Sequence, residues 1–178
     1  MRTVSRLFPL LCLALAACGS GGHRHAGDTG VRAAVECAPF ARALTGVALS
    51  GPAADWWRQA AGRYARSHYP ETGSLLVFRR SARLPGGHVA VVSRVMSRRQ
   101  ILVTQANWLH HHVTQDQPVV DVSEDGDWSL VRVWWPPTEQ MGAGTYGTFG
   151  FIRPDHPAGH DRLAEAVPAA IERARQAW

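Results

Sequence analysis

A succession of short segments rich in β-branched residues, between positions 74 and 152, places the strongest constraint on the fold. Residues 88–95 (HVAVVSRV) and 100–107 (QILVTQAN) are the clearest of these segments, and residues 97–99 form the turn between them. Short β-branched runs separated by turn residues are typical of strands in an antiparallel sheet. Four more segments fit the same pattern and complete the predicted sheet: 74–78, 119–122, 128–135 and 148–152.

Segments with helical spacing flank this predicted sheet on both sides along the chain. Residues 37–45 and 51–67 precede it, and the alanine-rich residues 163–177 follow it. Helices that are segregated from an antiparallel sheet are characteristic of α+β proteins. The sequence therefore predicts an α+β fold in which N-terminal helices pack on an antiparallel β-sheet.

The first 17 residues have the features of an export signal. Arg2 and Arg6 precede an apolar run at residues 7–17, which is too short to cross a bilayer as a helix. The run ends in Leu-Ala-Ala followed by Cys18, which matches the signal for cleavage and acylation of a bacterial lipoprotein. We therefore expect residues 1–17 to be removed and Cys18 to carry a lipid; an ordinary secretory signal is the alternative.

The remaining chain divides into three predicted parts. Residues 18–30 are rich in glycine and polar residues and are expected to form a flexible tether. Residues 31–155 are long enough for one domain with a hydrophobic core, and residues 156–178 are predicted to be a C-terminal helical extension. The protein is expected in the cell envelope, exported and anchored to a membrane by its lipid, facing the periplasm.

The pattern of basic residues does not support a nucleic-acid partner. The chain has 19 basic and 14 acidic residues, and every basic residue is an arginine. No basic run is interleaved with aromatic residues, as a nucleic-acid-binding surface would require. The small excess of positive charge only weakly favours an anionic partner such as cell wall or lipid headgroups.

Cys37 is the one cysteine expected to keep a free thiol in the mature chain. Cys12 would leave with the signal peptide, and Cys18 would carry the lipid. A lone thiol in an oxidising compartment has no disulfide partner within the chain, so it is either a small buried side chain or a reactive group. Pro39 fits only the first turn of a helix, which places Cys37 at a helix N-terminus.

A cysteine nucleophile acts as its thiolate, which a helix N-terminus stabilises. The neighbouring Glu36 opposes this effect unless its side chain points into solvent. His88, which opens a β-branched run after two glycines, is the candidate base for the thiol proton. A hairpin centred on residues 97–98 would place Asn107 opposite His88, and a shift of two residues would place Gln105 there instead.

These residues together resemble the CHAP family of cysteine- and histidine-dependent amidohydrolases and peptidases, which are relatives of papain. The family commonly has Glu-x-Asn at the third position of its site, and here Gln105 stands where the glutamate would be. The resemblance implies a papain-like fold for the predicted α+β domain. The matching stretches follow the family's order: 36–42 (ECAPFAR), 55–57 (DWW), 70–78 (PETGSLLVF), 87–92 (GHVAVV) and 105–108 (QANW).

The resemblance also implies a reaction, the cleavage of an amide bond in peptidoglycan by residues 31–155. Cys37 would attack the carbonyl carbon, and His88 would take the thiol proton and later protonate the leaving amine. Asn107 as first choice, or Gln105 as second, would orient the histidine. The backbone N–H of Cys37 would help to stabilise the oxyanion, and no metal or cofactor is needed.

Two further groups of residues have both a functional and a structural interpretation. Trp56 and Trp108 are candidates for contact with a peptidoglycan stem peptide or muropeptide. Core packing is the competing interpretation of such large side chains, and Trp108 could also shield the site. The run His110-His111-His112 suggests a metal site, but neighbouring residues on a strand point to opposite faces, so a solvated loop is the better interpretation.

Three functions remain open from the sequence. The first is a lipid-anchored cell-wall hydrolase, either an N-acetylmuramoyl-L-alanine amidase or an endopeptidase. The second is a non-catalytic envelope-binding lipoprotein, and the third is an acyltransferase that uses the same cysteine and histidine. The presence of both Cys37 and His88 favours an enzyme, whereas the bond cleaved and the nucleophile that releases the acyl group stay undetermined.

Overall fold

The computed structural model describes residues 30–177 of the chain. The predicted signal peptide, the lipidation of Cys18 and nearly all of the predicted tether lie outside the described residues. The elements follow one another as β1 (Val31–Arg32), α1 (Cys37–Thr45), a 3-10 turn (Ala53–Asp55), α2 (Trp56–Gln59), β2 (Ala65–Ser67), β3 (Leu75–Phe78), β4 (His88–Ser97), β5 (Gln100–Ala106), β6 (His112–Asp121), β7 (Leu130–Trp135), a second 3-10 turn (Pro136–Thr138), β8 (Gln140–Met141), β9 (Tyr146–Arg153) and α3 (His160–Gln176).

Six of these strands form a closed antiparallel barrel. Their order around the barrel is β6, β5, β4, β3, β9 and β7, and β7 pairs back onto β6. The short strands β1, β2 and β8 add to it at β6, β9 and β7 respectively. Closure pairs the strand edges that an open sheet would leave exposed.

The barrel corrects the fold class predicted from the sequence. The α+β prediction, with N-terminal helices on a papain-like antiparallel sheet, is wrong because the described chain is mostly strand and its sheet closes on itself. The long strand β6 causes the difference, since only residues 119–122 of this region were predicted to be strand. β6 pairs with β5 along one edge and, through Val119, Val120 and Asp121, with β7 along the other.

The central strands of the barrel are buried on both faces. Leu76 and Phe78 of β3 belong to the cluster inside the barrel, whereas Leu75 and Val77 pack in a second cluster with α1 and α3. All four side chains are 0 % exposed. Because both faces are covered, β3 is a continuous apolar run rather than an alternating one.

The prediction for the first helix is confirmed. α1 spans Cys37–Thr45, and Gly46 ends it with a φ of 76° and an N–H that donates to the carbonyl of Arg42 at 2.8 Å. The predicted extension, residues 156–178, contains α3, which packs in the same core cluster as α1. No helix within residues 30–177 is long and apolar enough to cross a membrane. The buried residues of α3 are Leu163, Val167, Ala170, Ile171 and Ala174.

The second predicted helix, at residues 51–67, is wrong. This segment contains a 3-10 turn, the four residues of α2 and then β2, which pairs with β9. Gly62 lies between α2 and β2 with a φ of 74°, a left-handed conformation that interrupts a helix. The periodicity came from apolar residues that are buried for other reasons, such as Trp56 in the core.

Candidate active site

Cys37 is the first residue of α1, and its side chain is half-buried. Glu36 before it has an extended backbone with φ −83° and ψ 156°, and Pro39 lies in the first helical turn, where its missing N–H leaves no helical bond unmade. The backbone N–H groups of Val89, Ala38 and Cys37 itself lie at the sulfur. The thiol therefore faces donors that stabilise a negative charge.

The balance of its surroundings still favours the protonated thiol. Burial raises the pKa of the Cys37 thiol, the N–H of Val89 lowers it in part, and the carboxylate of Glu36 raises it further. The resting cysteine is therefore protonated at neutral pH. It needs a base before it can act as a nucleophile.

His88 is the first residue of β4, and it is only 3 % exposed. Its Nε2 lies 2.9 Å from Oε1 of Gln105. Because an amide oxygen only accepts hydrogen bonds, Nε2 carries the ring proton of the neutral imidazole and Nδ1 carries the free lone pair. The side chain is therefore held as a tautomer with one nitrogen available as a base.

The imidazole is neutral over the physiological range. Burial lowers the pKa of His88 to about 4, and the hydrogen bond to Gln105 opposes this shift only in part. Together with the raised pKa of Cys37, this makes the resting pair a neutral thiol and a neutral imidazole.

The register of the β4–β5 hairpin explains which amide reaches the histidine. Val91 pairs with Thr104 and Val92 with Val103, which confirms the predicted register in the part of the hairpin farther from the turn. Two irregularities nearer the turn then shift the register, so the turn falls at residues 98–99 instead of 97–98. The prediction of the register was right where the strands are buried and wrong at the turn.

Asn107, the first-choice partner of His88, contacts other residues. It lies just after β5 with a φ of 59°, outside the regular ladder. Its Nδ2 donates to Oε2 of Glu36 at 2.9 Å, and its Oδ1 accepts the backbone N–H of His111 at 2.9 Å. The structure thus brings the second candidate, Gln105, to His88 and the first candidate to Glu36.

A backbone N–H group connects Cys37 to the strand that carries His88. The N–H at the Cys37 sulfur belongs to Val89, the residue that follows His88 on β4. Within residues 30–177, no hydrogen bond joins the sulfur directly to the imidazole ring. Cysteine and histidine pairs of this kind are often loose without substrate and tighten when it binds.

The two predicted tryptophans lie in different environments. Trp108 is half-buried, and its ring centroid lies 5.1 Å from that of His88 and 4.9 Å from that of Tyr146. The ring centroid of Phe78 lies 5.3 Å from that of His88, so Phe78, Trp108 and Tyr146 form an aromatic cluster beside the histidine. Trp56 is 0 % exposed and packs in the helix-side core, so it has no surface to offer a substrate.

The histidine run lies beside this site. His110 and His111 lie in the turn between β5 and β6 with their rings stacked at 3.7 Å, and His112 begins β6. Among residues 30–177, no three His, Cys, Asp or Glu side chains are placed to hold a metal ion. Sequence reasoning missed the aromatic contact of Tyr146 and the bond between Glu36 and Asn107, because both depend on long-range packing.

The burial of neutral His88 predicts a loss of stability in acid. Its pKa is about 4 in the folded protein, against 6.5 for an unperturbed histidine, so the unfolded chain binds more protons between these values. This contribution to stability is complete above pH 6.5 and is lost as the pH falls to 4. We expect the free energy of unfolding to fall by about 3 kcal/mol over this range from His88 alone.

Urea unfolding at pH 7 and pH 4 measures this loss, with variants used to assign it. His88→Gln removes the titrating group, so its free energy of unfolding should depend less on pH by about 3 kcal/mol. His156→Gln, at an exposed position, should retain the full pH dependence. Equal pH dependence in the wild type and His88→Gln would contradict the assignment.

Comparison with protein families places these residues in a known group. The model of the CHAP domain matches residues 27–107, a stretch that contains Cys37, His88, Gln105 and Asn107. No curated protein matches the chain. CHAP domains are typically cysteine- and histidine-dependent amidohydrolases or peptidases, in general those that act on peptidoglycan. Residues 27–107 therefore match the CHAP domain family.

Proposed function

We propose that this protein is a cell-wall hydrolase that cleaves an amide bond in peptidoglycan, with Cys37 as nucleophile and His88 as base. The observation that carries the proposal is the contact between the start of α1, which carries Cys37, and the start of β4, which carries His88. The Cys37 sulfur lies at the N–H of Val89, and the adjacent His88 is held by Gln105 with its Nδ1 free. The CHAP match covers all of these residues.

The acylation step follows from these positions. Nδ1 of His88 takes the thiol proton as the Cys37 sulfur bonds to the carbonyl carbon, and the carbonyl oxygen becomes an oxyanion. Backbone N–H groups at the start of α1 stabilise that oxyanion. When the carbon–nitrogen bond breaks, the imidazolium protonates the leaving amine, and a thioester remains on Cys37.

Deacylation uses the same groups in reverse. His88 takes a proton from water as the water oxygen attacks the thioester, and the thiolate leaves with that proton. A carboxylic acid is released, which loses its remaining proton to solvent, and the thiol is restored. Gln105 orients the ring throughout, but its neutral oxygen stabilises an imidazolium less than a carboxylate would.

Digestion of purified sacculi tests the reaction and identifies the bond. The full chain should release fragments whose new termini distinguish an N-acetylmuramoyl-L-alanine amidase from an endopeptidase. Products in which an added amine replaces the new carboxylate would show acyl transfer instead of hydrolysis. Release of nothing, together with labelling of Cys37 by a thiol reagent no faster than a peptide thiol, would contradict an enzyme.

We also propose that the protein is exported and held in the cell envelope by a lipid on Cys18. The support is the order of charge, apolar run and Leu-Ala-Ala-Cys in residues 1–18. A single attached lipid group contributes to membrane affinity in proportion to its buried methylenes.

Substitution of the acylated cysteine should release the protein. We expect Cys18→Ser to move most of the protein from the membrane fraction to the soluble fraction, as judged by fractionation and immunoblotting. Cys12→Ser changes the same type of residue within the signal and should leave the protein in the membrane fraction. Retention of Cys18→Ser in the membrane would rule out this anchor.

A further inference from the structure

Glu36 is a half-buried carboxylate directly before the nucleophile. Its Oε2 accepts a hydrogen bond from Nδ2 of Asn107 at 2.9 Å. Within residues 30–177, no arginine or histidine forms an ion pair with it, although Asp55, Glu71 and Glu172 each have an arginine partner. The amide of Asn107 is a neutral donor, so its hydrogen bond does not balance the charge of the carboxylate.

Asn107 holds this carboxylate in place. The asparagine has a φ of 59°, a left-handed conformation that asparagine tolerates better than most residues. Its backbone N–H donates to the carbonyl of His112 at 2.8 Å, and its Oδ1 accepts the N–H of His111 at 2.9 Å. Since both ends of the asparagine are fixed, Glu36 is kept beside the thiol instead of turning freely into solvent.

The carboxylate of Glu36 disfavours the thiolate form that Cys37 needs as a nucleophile. Three backbone N–H groups lie where they stabilise a thiolate, while the carboxylate raises the pKa of Cys37. A cation at Glu36 would cancel the repulsion, because it would neutralise the carboxylate and favour the thiolate at the same moment.

We propose that Glu36 binds a primary ammonium group of the substrate, located close to the scissile amide. This inference rests on the proposed function and names the class of peptide preferred, one with a free amine near the bond to be cleaved. An ammonium group is a compact cation with three donors, and it suits a carboxylate whose second oxygen accepts no hydrogen bond from residues 30–177. Substrate binding then activates the nucleophile, and the unliganded enzyme keeps its thiol protonated.

Labelling of Cys37 tests the cation site without requiring hydrolysis. The probes are 2-aminoethyl methanethiosulfonate, which is cationic, and 2-sulfonatoethyl methanethiosulfonate, which is anionic. In each reaction the Cys37 thiolate attacks the reagent, a mixed disulfide forms and methanesulfinate leaves. The rate constants come from mass spectrometry of the Cys37 peptide of the full chain, so Cys12 and Cys18 do not interfere.

The expected result is a preference for the cationic reagent that depends on Glu36. We expect the ratio of cationic to anionic rate constants to fall about tenfold in Glu36→Gln, because the carboxylate attracts the cationic reagent and repels the anionic one. The glutamine retains an oxygen to accept the Asn107 bond. Glu165→Gln, on the exposed side of α3, is the matched control and should leave the ratio unchanged.

The rate of labelling by neutral iodoacetamide should change in the opposite direction to the charge preference. Loss of the carboxylate lowers the pKa of Cys37, so Glu36→Gln should be alkylated several times faster than the wild type at pH 7. A general structural defect would not yield both a lost charge preference and faster neutral labelling. A ratio unchanged within twofold would overturn the cation site, whatever the sacculus assay shows.

Peptide substrates then connect the site to turnover. The wild type should prefer a peptide with a free amine over its N-acetylated form, mainly through KM, and Glu36→Gln should lose about tenfold of that preference. Equal preference in both proteins would overturn the inference while leaving hydrolysis intact. Absence of hydrolysis in both, with the labelling preference present, would instead count against the proposed function.

Discussion

Replacement of Cys37 by alanine is expected to lower the rate of peptidoglycan amide hydrolysis by about 10⁴-fold or more. The sulfur supplies the bond to the acyl group, and no neighbouring side chain among the described residues can replace it in that role. A loss of this size corresponds to about 5 kcal/mol of transition-state stabilisation. The rate of release of soluble muropeptides from labelled sacculi measures it.

Stability separates this loss from unfolding. Only the sulfur atom is removed from a half-buried position, so we expect the melting temperature of Cys37→Ala to change by a few degrees at most. Cys18→Ser, assayed in detergent, is the control for a cysteine substitution outside the CHAP match and should retain hydrolysis. Activity of Cys37→Ala above about one tenth of the wild type would exclude a cysteine mechanism.

Replacement of His88 by glutamine is expected to lower the same rate by about 10³-fold. The variant loses the group that takes the thiol proton and returns it to the leaving amine. Since burial keeps the pKa of Cys37 raised, the thiol has no other means of forming the thiolate efficiently at neutral pH. The rate is measured on labelled sacculi between pH 5 and pH 9.

The pH dependence identifies the role of the lost group. With its base absent, His88→Gln should retain only a residual rate that rises with pH as the thiol ionises unaided. The wild type should show no acid limb until the pH approaches about 4, where His88 itself becomes protonated. His156→Gln is the control for removal of an exposed imidazole. A wild-type rate that falls between pH 7 and pH 6 would contradict a base with this pKa.

Local signals in the sequence were sufficient to predict the position of the nucleophile. Pro39 restricts the first turn of α1, and Gly46 provides the left-handed residue that ends it, so both helix ends are determined within ten residues. The hairpin that carries His88 was similarly predictable in its buried half, where a change of register would exchange the two faces.

The closed barrel depends on pairing that no local pattern indicates. Val119 of β6 contacts Ile101 of β5 on one side and Val133 of β7 on the other. The polar residues at the start of β6 resemble a loop in sequence, although Thr114, Gln115 and others are buried there. Burial of polar side chains is a property of the assembled sheet, so the α+β prediction failed at this point.

The sequence favoured Asn107 over Gln105 as the partner of His88, and the structure differs from this prediction at the end of β5. Extrapolation of the register assumed that the ladder continues to Asn107, whereas the chain leaves it after Ala106 and enters a left-handed conformation. Gln105 remains in the strand, and its longer side chain reaches Nε2 of His88. Long-range contact with Glu36, which the sequence does not indicate, accounts for the different position of Asn107.

Detection of an acyl group on Cys37 is the most direct test of the proposed mechanism. The full chain is mixed with sacculi, the reaction is stopped with acid within a single turnover, and the Cys37 peptide is analysed by mass spectrometry. We predict a peptidoglycan-derived acyl mass on Cys37 that hydroxylamine removes, as it removes thioesters, and that His88→Gln forms far more slowly. Hydrolysis with no acyl group on Cys37, or with the acyl group on another residue, would contradict the account.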